Sequence, residues 1–216
     1  SLLPDLMAGY KVKEIYYTLQ GEGAHAGRPA VFLRFTGCNL WTGREEDRAD
    51  AICTFCDTDF IGMDGTLGGK YTADELAHTI DMLWPAERNN KYVVCTGGEP
   101  MLQLDSQLID AFHAKHFEVG VETNGTITPP PGLDWICVSP KANTEIVIRK
   151  ANEIKLVVKQ RGIEPSQFED WDFDHFFLQP MDGPDAHSFT EWAIQYCLIN
   201  PTWRLSIQTH KILGIR

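Results

Sequence analysis

The chain has 216 residues, 43% of them hydrophobic, and a formal net charge of −11 at pH 7. The excess of acidic residues and the scattered Lys and Arg argue against a nucleic-acid partner, because a phosphate-binding face needs clustered cations. The apolar runs are too short to span a bilayer, no basic region precedes an apolar stretch as in a signal peptide, and six cysteines in a chain this long do not indicate a disulfide scaffold. We therefore expect a cytoplasmic protein with one domain, residues 1–216, and neither a membrane nor a nucleic-acid partner.

Segments of strand character alternate with helical patterns along the chain. The strands are rich in Val, Ile, Leu and Phe, and a capping box, Thr72 to Glu75, opens the first helix. Weaker helical patterns follow Lys141 and cover Pro165 to Asp170. In chain order the main predicted elements are strands Lys11 to Tyr17 and Ala30 to Phe35, a helix from Thr72 to about Leu83, a strand Tyr92 to Cys95, a helix Leu102 to His116, strands Glu118 to Glu122, Trp135 to Val138, Glu153 to Lys159 and His175 to Leu178, a helix from Pro184 to about Leu198, and a strand Arg204 to Thr209.

This alternation predicts βαβ units and an α/β fold with a mostly parallel sheet. Because several strands are almost continuously apolar, we expect both faces of the sheet to be covered. The strand pattern does not fix how complete a barrel would be, but about six core parallel strands with few helices would give an open, partial (β/α) barrel. Polar or glycine-rich segments follow the strands that end at Phe35, Cys95, Glu122, Val138 and Leu178. Since parallel strand ends share one rim, where ligands bind, we expect these segments to meet there.

Three cysteines are candidate metal ligands. Cys53 and Cys56 form a C-x-x-C pair, and fourteen residues separate Cys38 from Cys53. Three thiolates can hold three irons of a [4Fe–4S] cluster and leave the fourth iron open for chemistry, as at a catalytic zinc. A C-x-x-C pair is also typical of a redox dithiol, half of a zinc site or a disulfide. The remaining cysteines are expected to pack as buried apolar side chains: Cys95, Cys137 and Cys197.

Several segments occur in an order, and at strand ends, that together resemble one enzyme family. They are the cysteine loop, Tyr17 to Gly23, Thr96 to Pro100, Glu122 to Gly125, Ser139 to Lys141 and His210-Lys211. The chain resembles the 7-carboxy-7-deazaguanine synthases, a family of radical S-adenosylmethionine (SAM) enzymes, over nearly its whole length. It departs from the usual superfamily spacing C-x3-C-x2-C in its first gap, although expanded gaps occur within the family.

The resemblance implies a reaction and a fold. The family converts 6-carboxy-5,6,7,8-tetrahydropterin to 7-carboxy-7-deazaguanine by hydrogen abstraction, ring contraction and ammonia loss, a step in queuosine and 7-deazapurine biosynthesis. It implies a partial, open barrel of the radical SAM type with a cluster-binding loop at about residues 38–60. An external electron donor of the flavodoxin type and a homodimer are expected on the same ground.

The resemblance also assigns cofactor-binding residues. Cys38, Cys53 and Cys56 would bind the [4Fe–4S] cluster, and Thr58 would contribute to a Mg²⁺ site. For Gly97-Gly98 before Pro100 a tight strand-to-helix turn is an open alternative, as is an ordinary turn for Thr58. The positions expected to bind SAM are Phe55, Cys56, Asp57, Gly98, Glu99, Ser139, Pro140, Lys141, Gln179, Pro180, Met181 and Asp182.

A further set is expected to bind the pterin substrate. Arg34 interrupts an apolar strand and needs a partner, which is either a substrate carboxylate or a structural Asp or Glu. Glu122 and Asn124 offer polar edges for the pterin, but a strand-end turn would use them too. The implied substrate-binding positions are Leu19, Gln20, Gly21, Arg34, Thr96, Glu122, Asn124 and Arg216.

Two other functions stay open at this point. One is a different radical SAM enzyme, such as a glycyl-radical activase, which shares the cluster and the Gly-Gly-Glu-Pro segment but acts on a protein. The other is a non-catalytic iron–sulfur or metal-binding module, which would usually fill all four cluster positions with protein ligands.

Overall fold

The computed structural model describes residues 9–85 and 89–216. The prediction that the chain lacks a signal peptide falls mainly on residues 1–8, which lie outside the described residues. Short 3-10 helices lie at Gly23–His25, Glu45–Asp50, Pro100–Leu102 and Pro165–Gln167. In chain order the main elements are β1 (Tyr10–Leu19), β2 (Pro29–Phe35), β3 (Gly69–Tyr71), α1 (Ala73–Leu83), β4 (Tyr92–Gly97), α2 (Ser106–Ala114), β5 (Glu118–Thr123), β6 (Trp135–Val138), β7 (Lys150–Val158), β8 (Asp172–Pro180), α3 (Ala186–Ile199), β9 (Trp203–Leu205) and α4 (Thr209–Leu213).

The strands of the described chain form one sheet in the order β3-β1-β2-β4-β5-β6-β7-β8-β9. β1 runs antiparallel to both of its neighbours, β2 and β3. From β2 to β9 every neighbouring pair is parallel. The predicted α/β fold with a mostly parallel sheet is therefore confirmed, and its order leaves β3 and β9 as separate edges, as in an open, partial barrel.

All the predicted strands are present, but the last one is wrong in its extent. β9 ends at Leu205, and α4 begins at Thr209, where a strand was expected. Ser206 still donates its N–H to the Leu178 carbonyl at 2.8 Å, while its hydroxyl contacts the Gln179 side chain at 3.1 Å. Ser206 is thus still bonded to β8, and the chain leaves the sheet after it. Neither β3 nor α4 was predicted, because three or five residues are too few to show a period.

The three main helices are present as predicted, and α3 forms without a side-chain cap. The Thr72 hydroxyl accepts the Glu75 N–H, and the Glu75 carboxylate accepts the Thr72 N–H, which confirms the capping box of α1. α2 begins later than expected, because Asp105 caps it by accepting the Leu108 N–H at 3.0 Å. The weak patterns were wrong: the residues directly after Lys141 form a turn, and the Pro165 region holds only a 3-10 helix.

One face of the sheet packs against the helices. α1 and α2 cover apolar side chains of β1, β2, β4 and β5, such as Leu33 and Val93. α3 covers a second cluster on the later strands, which includes Ile154 and Leu178. The register pairs Leu33 with Cys95 and Leu156 with Leu178, so apolar side chains of neighbouring strands lie side by side within each cluster.

The opposite face carries polar side chains, which corrects the expectation that both faces are covered. Arg34, Thr96, Glu122 and Lys155 occupy positions that alternate with buried apolar residues. Because side chains of a strand alternate between faces, all four point away from the helices. They line a cavity instead of a second layer.

The sheet curls around this cavity. In a flat sheet β1 and β8 would lie about 29 Å apart, at six spacings of about 4.8 Å. Yet Glu14 of β1 and Gln179 of β8 line the same cavity. The closing segment, residues 206–216, runs from β9 back to β1, where the Thr209 N–H and hydroxyl donate to the Gly21 carbonyl at 3.0 and 2.8 Å. Within the described ranges, the helices are too short or too polar to cross a bilayer.

Candidate active site

A cavity of about 480 Å³ opens on the inner face of the sheet, at the carboxyl ends of its parallel strands. This volume suits a small-molecule ligand. Two of the predicted site residues, Glu99 and Pro140, lie buried behind its wall. The others all line it: Leu19, Gln20, Gly21, Arg34, Cys38, Cys53, Phe55, Cys56, Asp57, Thr58, Thr96, Gly98, Glu122, Asn124, Ser139, Lys141, Gln179, Pro180, Met181, Asp182 and Arg216.

The three candidate cysteine ligands share this wall as free thiols. Burial raises the pKa of Cys38 and of Cys53, and the charge of Cys56 raises both further. The Cys56 sulfur therefore lies near the other two. The remaining cysteines lie away from the cavity, with Cys95 and Cys137 buried, as expected, and Cys197 only partly so.

Within residues 9–85 and 89–216, no three His, Cys, Asp or Glu side chains converge as the ligands of a single metal ion would. A [4Fe–4S] cluster does not need such convergence, because each thiolate binds a different iron. Three thiols on one wall, beside open cavity, are a donor set that fits this cluster.

The expanded gap between Cys38 and Cys53 is folded against the C-x-x-C pair. Arg48 lies in its 3-10 helix and donates to the carbonyls of Thr54 and Cys56 at 2.9 and 3.1 Å. The Arg48 guanidinium also stacks on Trp41, 4.1 Å from the ring centre. The extra residues therefore support the cysteine loop and leave its thiols on the cavity side.

Gly97 and Gly98 bring the end of β4 against the loop that carries Cys38. A Cβ at Gly98 would collide with the Gly37 carbonyl, and Gly97 adopts φ 141° beside the Phe35 backbone. Glu99 donates its N–H to the same Gly37 carbonyl at 2.9 Å. The glycines are thus required by the close approach of two backbones, whatever ligand the cavity holds.

Glu99 is fully buried, and its carboxylate is used inside the protein. It accepts the Met101 N–H at 3.0 Å, the Thr123 hydroxyl at 2.7 Å and the Asn124 N–H at 2.8 Å. Burial raises the pKa of Glu99, and these donors partly offset the shift. The structure places Glu99 as a brace beneath the rim, and SAM binding by Glu99 stays a prediction.

Arg34 has a structural partner, which was one of the two alternatives. Its Nε donates to Glu14 at 3.0 Å and its Nη2 to the Tyr16 hydroxyl at 3.2 Å. Arg216 reaches the same Glu14 carboxylate from the closing segment and lies over the Tyr16 ring, 4.6 Å from its centre. Both guanidinium groups still line the cavity.

The other rim residues make local bonds as well. The Asn124 side chain binds Asn39 and Thr126, which ties the strand end to the cysteine loop. Lys141 folds back onto Ser139 at 2.7 and 2.8 Å, and burial lowers the pKa of Lys141. The strand-end turn predicted as an alternative for Asn124 is therefore present.

Several cavity residues were missed by the sequence analysis. Lys211 bridges Asp57 and Asp182 at 2.8 and 2.6 Å, and Lys155 and Glu22 meet on the cavity floor at 2.5 Å. Lys155 interrupts an apolar strand just as Arg34 does, so the signal that identified Arg34 could have found Lys155.

The chain is similar to known proteins over almost its full length. It is 64% identical over 208 residues to the 7-carboxy-7-deazaguanine synthase of Bradyrhizobium diazoefficiens, which covers 96% of this chain and 99% of that protein. It is 59% identical over 207 residues to the protein of the same name from Bordetella pertussis, covering 95% and 99%. The crystal structure of QueE from Escherichia coli superposes with a TM-score of 0.69 at 30% identity and covers 93% of this chain and 94% of that chain. No family model matches the chain.

Proposed function

The chain belongs to the 7-carboxy-7-deazaguanine synthase family, and from this premise we propose that its cavity converts 6-carboxy-5,6,7,8-tetrahydropterin to 7-carboxy-7-deazaguanine with loss of ammonia. The observation that carries the proposal is that three thiols and the polar group Gln20, Thr96 and Glu122 line one cavity. A non-catalytic module would need no substrate-sized space beside its cluster.

Cys38, Cys53 and Cys56 would hold the [4Fe–4S] cluster. When bound, the cluster and SAM supply the radical that abstracts a hydrogen atom from the substrate. The backbone around Gly98 and the side chains of Phe55 and Gln179 would position SAM on the adjoining wall. Lys141, whose Nζ lies 5.8 Å from the Phe55 ring centre, places a cation there that favours the carboxylate of a bound amino acid.

The cavity floor supplies the groups that would orient the pterin. The Glu122 carboxylate already accepts from Gln20 at 3.1 Å and from the Thr96 hydroxyl at 3.4 Å, so its position is fixed before a ligand enters. Arg34 contributes a guanidinium that suits the substrate carboxylate. Thr58 lies at the cavity wall and would share Mg²⁺ with substrate oxygens, since one hydroxyl alone is a poor magnesium site.

The remaining expectations follow from the family. We propose a flavodoxin-like electron donor, a homodimer and a cytoplasmic location, because a thiolate-bound cluster needs a reducing compartment. A single domain over the whole chain, with its cluster-binding loop at about residues 38–60, belongs to the same proposal.

The test is anaerobic reconstitution with iron and sulfide, followed by incubation with a reductant, SAM, Mg²⁺ and the carboxypterin. We expect 7-carboxy-7-deazaguanine and ammonia in equal amounts, with turnover that falls when Mg²⁺ is removed. Cys38→Ala is expected to lose cluster iron and all turnover. Cys197→Ala, which changes a cysteine on α3 outside the cavity, should match the unaltered enzyme.

Other outcomes would point to the alternatives. A fully loaded protein that forms no 5′-deoxyadenosine would contradict the proposal and favour a non-catalytic module. Formation of 5′-deoxyadenosine without any conversion of the pterin would favour another radical SAM enzyme.

A further inference from the structure

A buried lysine on the cavity floor has no role in the reaction as described so far. Lys155 lies on β7, and only 5% of its side chain is exposed. Its Nζ contacts the Glu22 carboxylate at 2.5 Å and the Glu122 carboxylate at 3.4 Å. One ammonium therefore stands between two carboxylates.

Glu22 is fixed from both sides. Its Oε2 contacts Lys155, and its Oε1 accepts from Gln208 of the closing segment at 3.0 Å. Burial by itself would raise the pKa of Glu22, but Lys155 and Gln208 outweigh this effect and lower the pKa to about 2. Glu22 therefore anchors the Lys155 ammonium beside Glu122.

Glu122 is the carboxylate of the pair that reaches the cavity. With 23% of its side chain exposed, it is more open than Glu22, which is 14% exposed. Its donors are Gln20, Thr96 and Lys155, and Lys155 alone carries a charge. Without that charge two carboxylates would share a buried site, and such a pair retains a proton.

The protonation of Glu122 decides what it can recognise. An ionised carboxylate only accepts hydrogen bonds, whereas a protonated one also donates. The aminopyrimidinone edge of a pterin carries ring and amino N–H donors. If Glu122 carried a proton, its O–H group would face the N–H donors of this edge, and no hydrogen bond could form between them.

We propose that Lys155 is a positioning residue for substrate recognition: it holds Glu122 as a charged acceptor for the N–H edge of the pterin. This inference rests on the proposed function. Lys155 acts through Glu122, so the loss of Lys155 should weaken substrate binding more than it slows the reaction of the bound substrate.

The experiment compares Lys155→Met, Lys155→Arg and Lys150→Met in the reconstituted enzyme. We expect Lys155→Met to raise the KM for the carboxypterin about 30-fold, as for a lost hydrogen bond to a charged group, with kcat within about threefold. Lys155→Arg keeps the charge and should recover most of the affinity. Lys150 lies on the same strand in an exposed pair with Asp172, so Lys150→Met should leave both constants unchanged.

A pH profile separates this role from a structural one. The kcat/KM of Lys155→Met, divided by that of the unaltered enzyme, should rise with pH as the carboxylate pair loses its shared proton. Other titratable groups near the pair are Tyr16, Tyr92, Cys137, Lys141, Glu153 and His210. The ratio cancels the titration of those that do not sense the charge of Lys155, such as Tyr16 and Tyr92. An unchanged KM, or an equal loss at every pH, would overturn the inference.

Two further outcomes are informative. If Lys155→Met does not load its cluster, the double variant Lys155→Met/Glu22→Gln removes the unpaired carboxylate while Glu122 still lacks its cation. Glu122 then shares no proton with a second carboxylate but still lacks its cation, so the KM should rise by less than about 30-fold and mainly at acidic pH. A KM equal to that of the unaltered enzyme at every pH would overturn the inference. An unaltered enzyme that leaves the carboxypterin unconverted would overturn the proposed function itself, and this inference with it.

Discussion

Charged side chains around the cavity are paired before any ligand binds. Arg34 contacts Glu14 and Lys155 contacts Glu22, and all four side chains are largely buried. Buried ion pairs add little net stability, since desolvation offsets their attraction, but removing one partner leaves an uncompensated charge. These pairs therefore serve mainly to fix functional groups in place, and their contribution to the stability of the folded protein depends on pH.

Glu22 gives this dependence a sign that can be measured. Its pKa of about 2 lies below the ordinary 4.5, so its contribution to stability is complete above pH 4.5 and is lost as the pH falls towards 2. We expect Glu22→Gln to lower the unfolding free energy near pH 6 by an amount on the order of 3 kcal/mol, and the difference should shrink near pH 3. Anaerobic urea unfolding of the cluster-free protein at both pH values measures this.

The matched control is Glu45→Gln. Glu45 is also a carboxylate in an ion pair, with Arg48, but it is 77% exposed. Its removal should leave the unfolding midpoint almost unchanged at either pH. If Glu22→Gln lowers the unfolding free energy by the same amount at pH 6 and pH 3, the pKa of Glu22 is not lowered in the folded protein.

At the scale of the elements, the start of α1 depends on one local motif. Thr72 and Glu75 satisfy each other's backbone N–H groups, which would otherwise be unpaired at the helix end. We expect Thr72→Ala to destabilise the protein by about 1 kcal/mol. Thr79→Ala serves as its control, because Thr79 lies within the same helix and bonds only to the Glu75 carbonyl. Its effect on the urea midpoint should be much smaller, and equal effects would contradict the capping argument.

This motif is local, and local signals are what the sequence predicts well. The apolar strands, their order and the polar segments at their ends were all readable, because each depends on neighbours in the chain. Since parallel strands align their ends, most of the cavity wall followed as well.

The failures involve contacts between distant residues. Ser206 bonds to Gln179 and Thr209 bonds to Gly21, both far away in the sequence, so no local pattern marks where the last strand ends. SAM binding by Glu99 stays a prediction, but the sequence could not show that its carboxylate also accepts from Thr123 and Asn124 at the end of another strand. The inner face was predicted to be covered because, along each strand, its few polar residues alternate with the apolar residues of the other face, so the strand as a whole looks apolar.

For the whole molecule, the open barrel leaves a gap between β9 and β1. The closing segment fills it and is bonded to the cavity rim along its length. Thr209 bonds to Gly21, Lys211 bridges Asp57 and Asp182, and Arg216 reaches Glu14. Because Asp57 and Asp182 follow different strands, Lys211 joins two sides of the cavity mouth.

The Lys211 bridge is expected to control local opening and not global stability. Its partners are half exposed, and exposed ion pairs contribute at most about 1 kcal/mol each. Loss of this energy is enough to raise severalfold the population in which the closing segment is detached, since 1.4 kcal/mol is a factor of ten.

We therefore expect Lys211→Met to speed amide hydrogen exchange in residues 208–215 about threefold to tenfold, while the urea midpoint stays within error. Lys150→Met breaks a more exposed ion pair elsewhere and should leave this exchange unchanged. Faster exchange throughout the sheet in Lys211→Met would instead mean that the bridge supports the whole fold, and unchanged exchange would mean that Thr209 and Arg216 hold the segment without it.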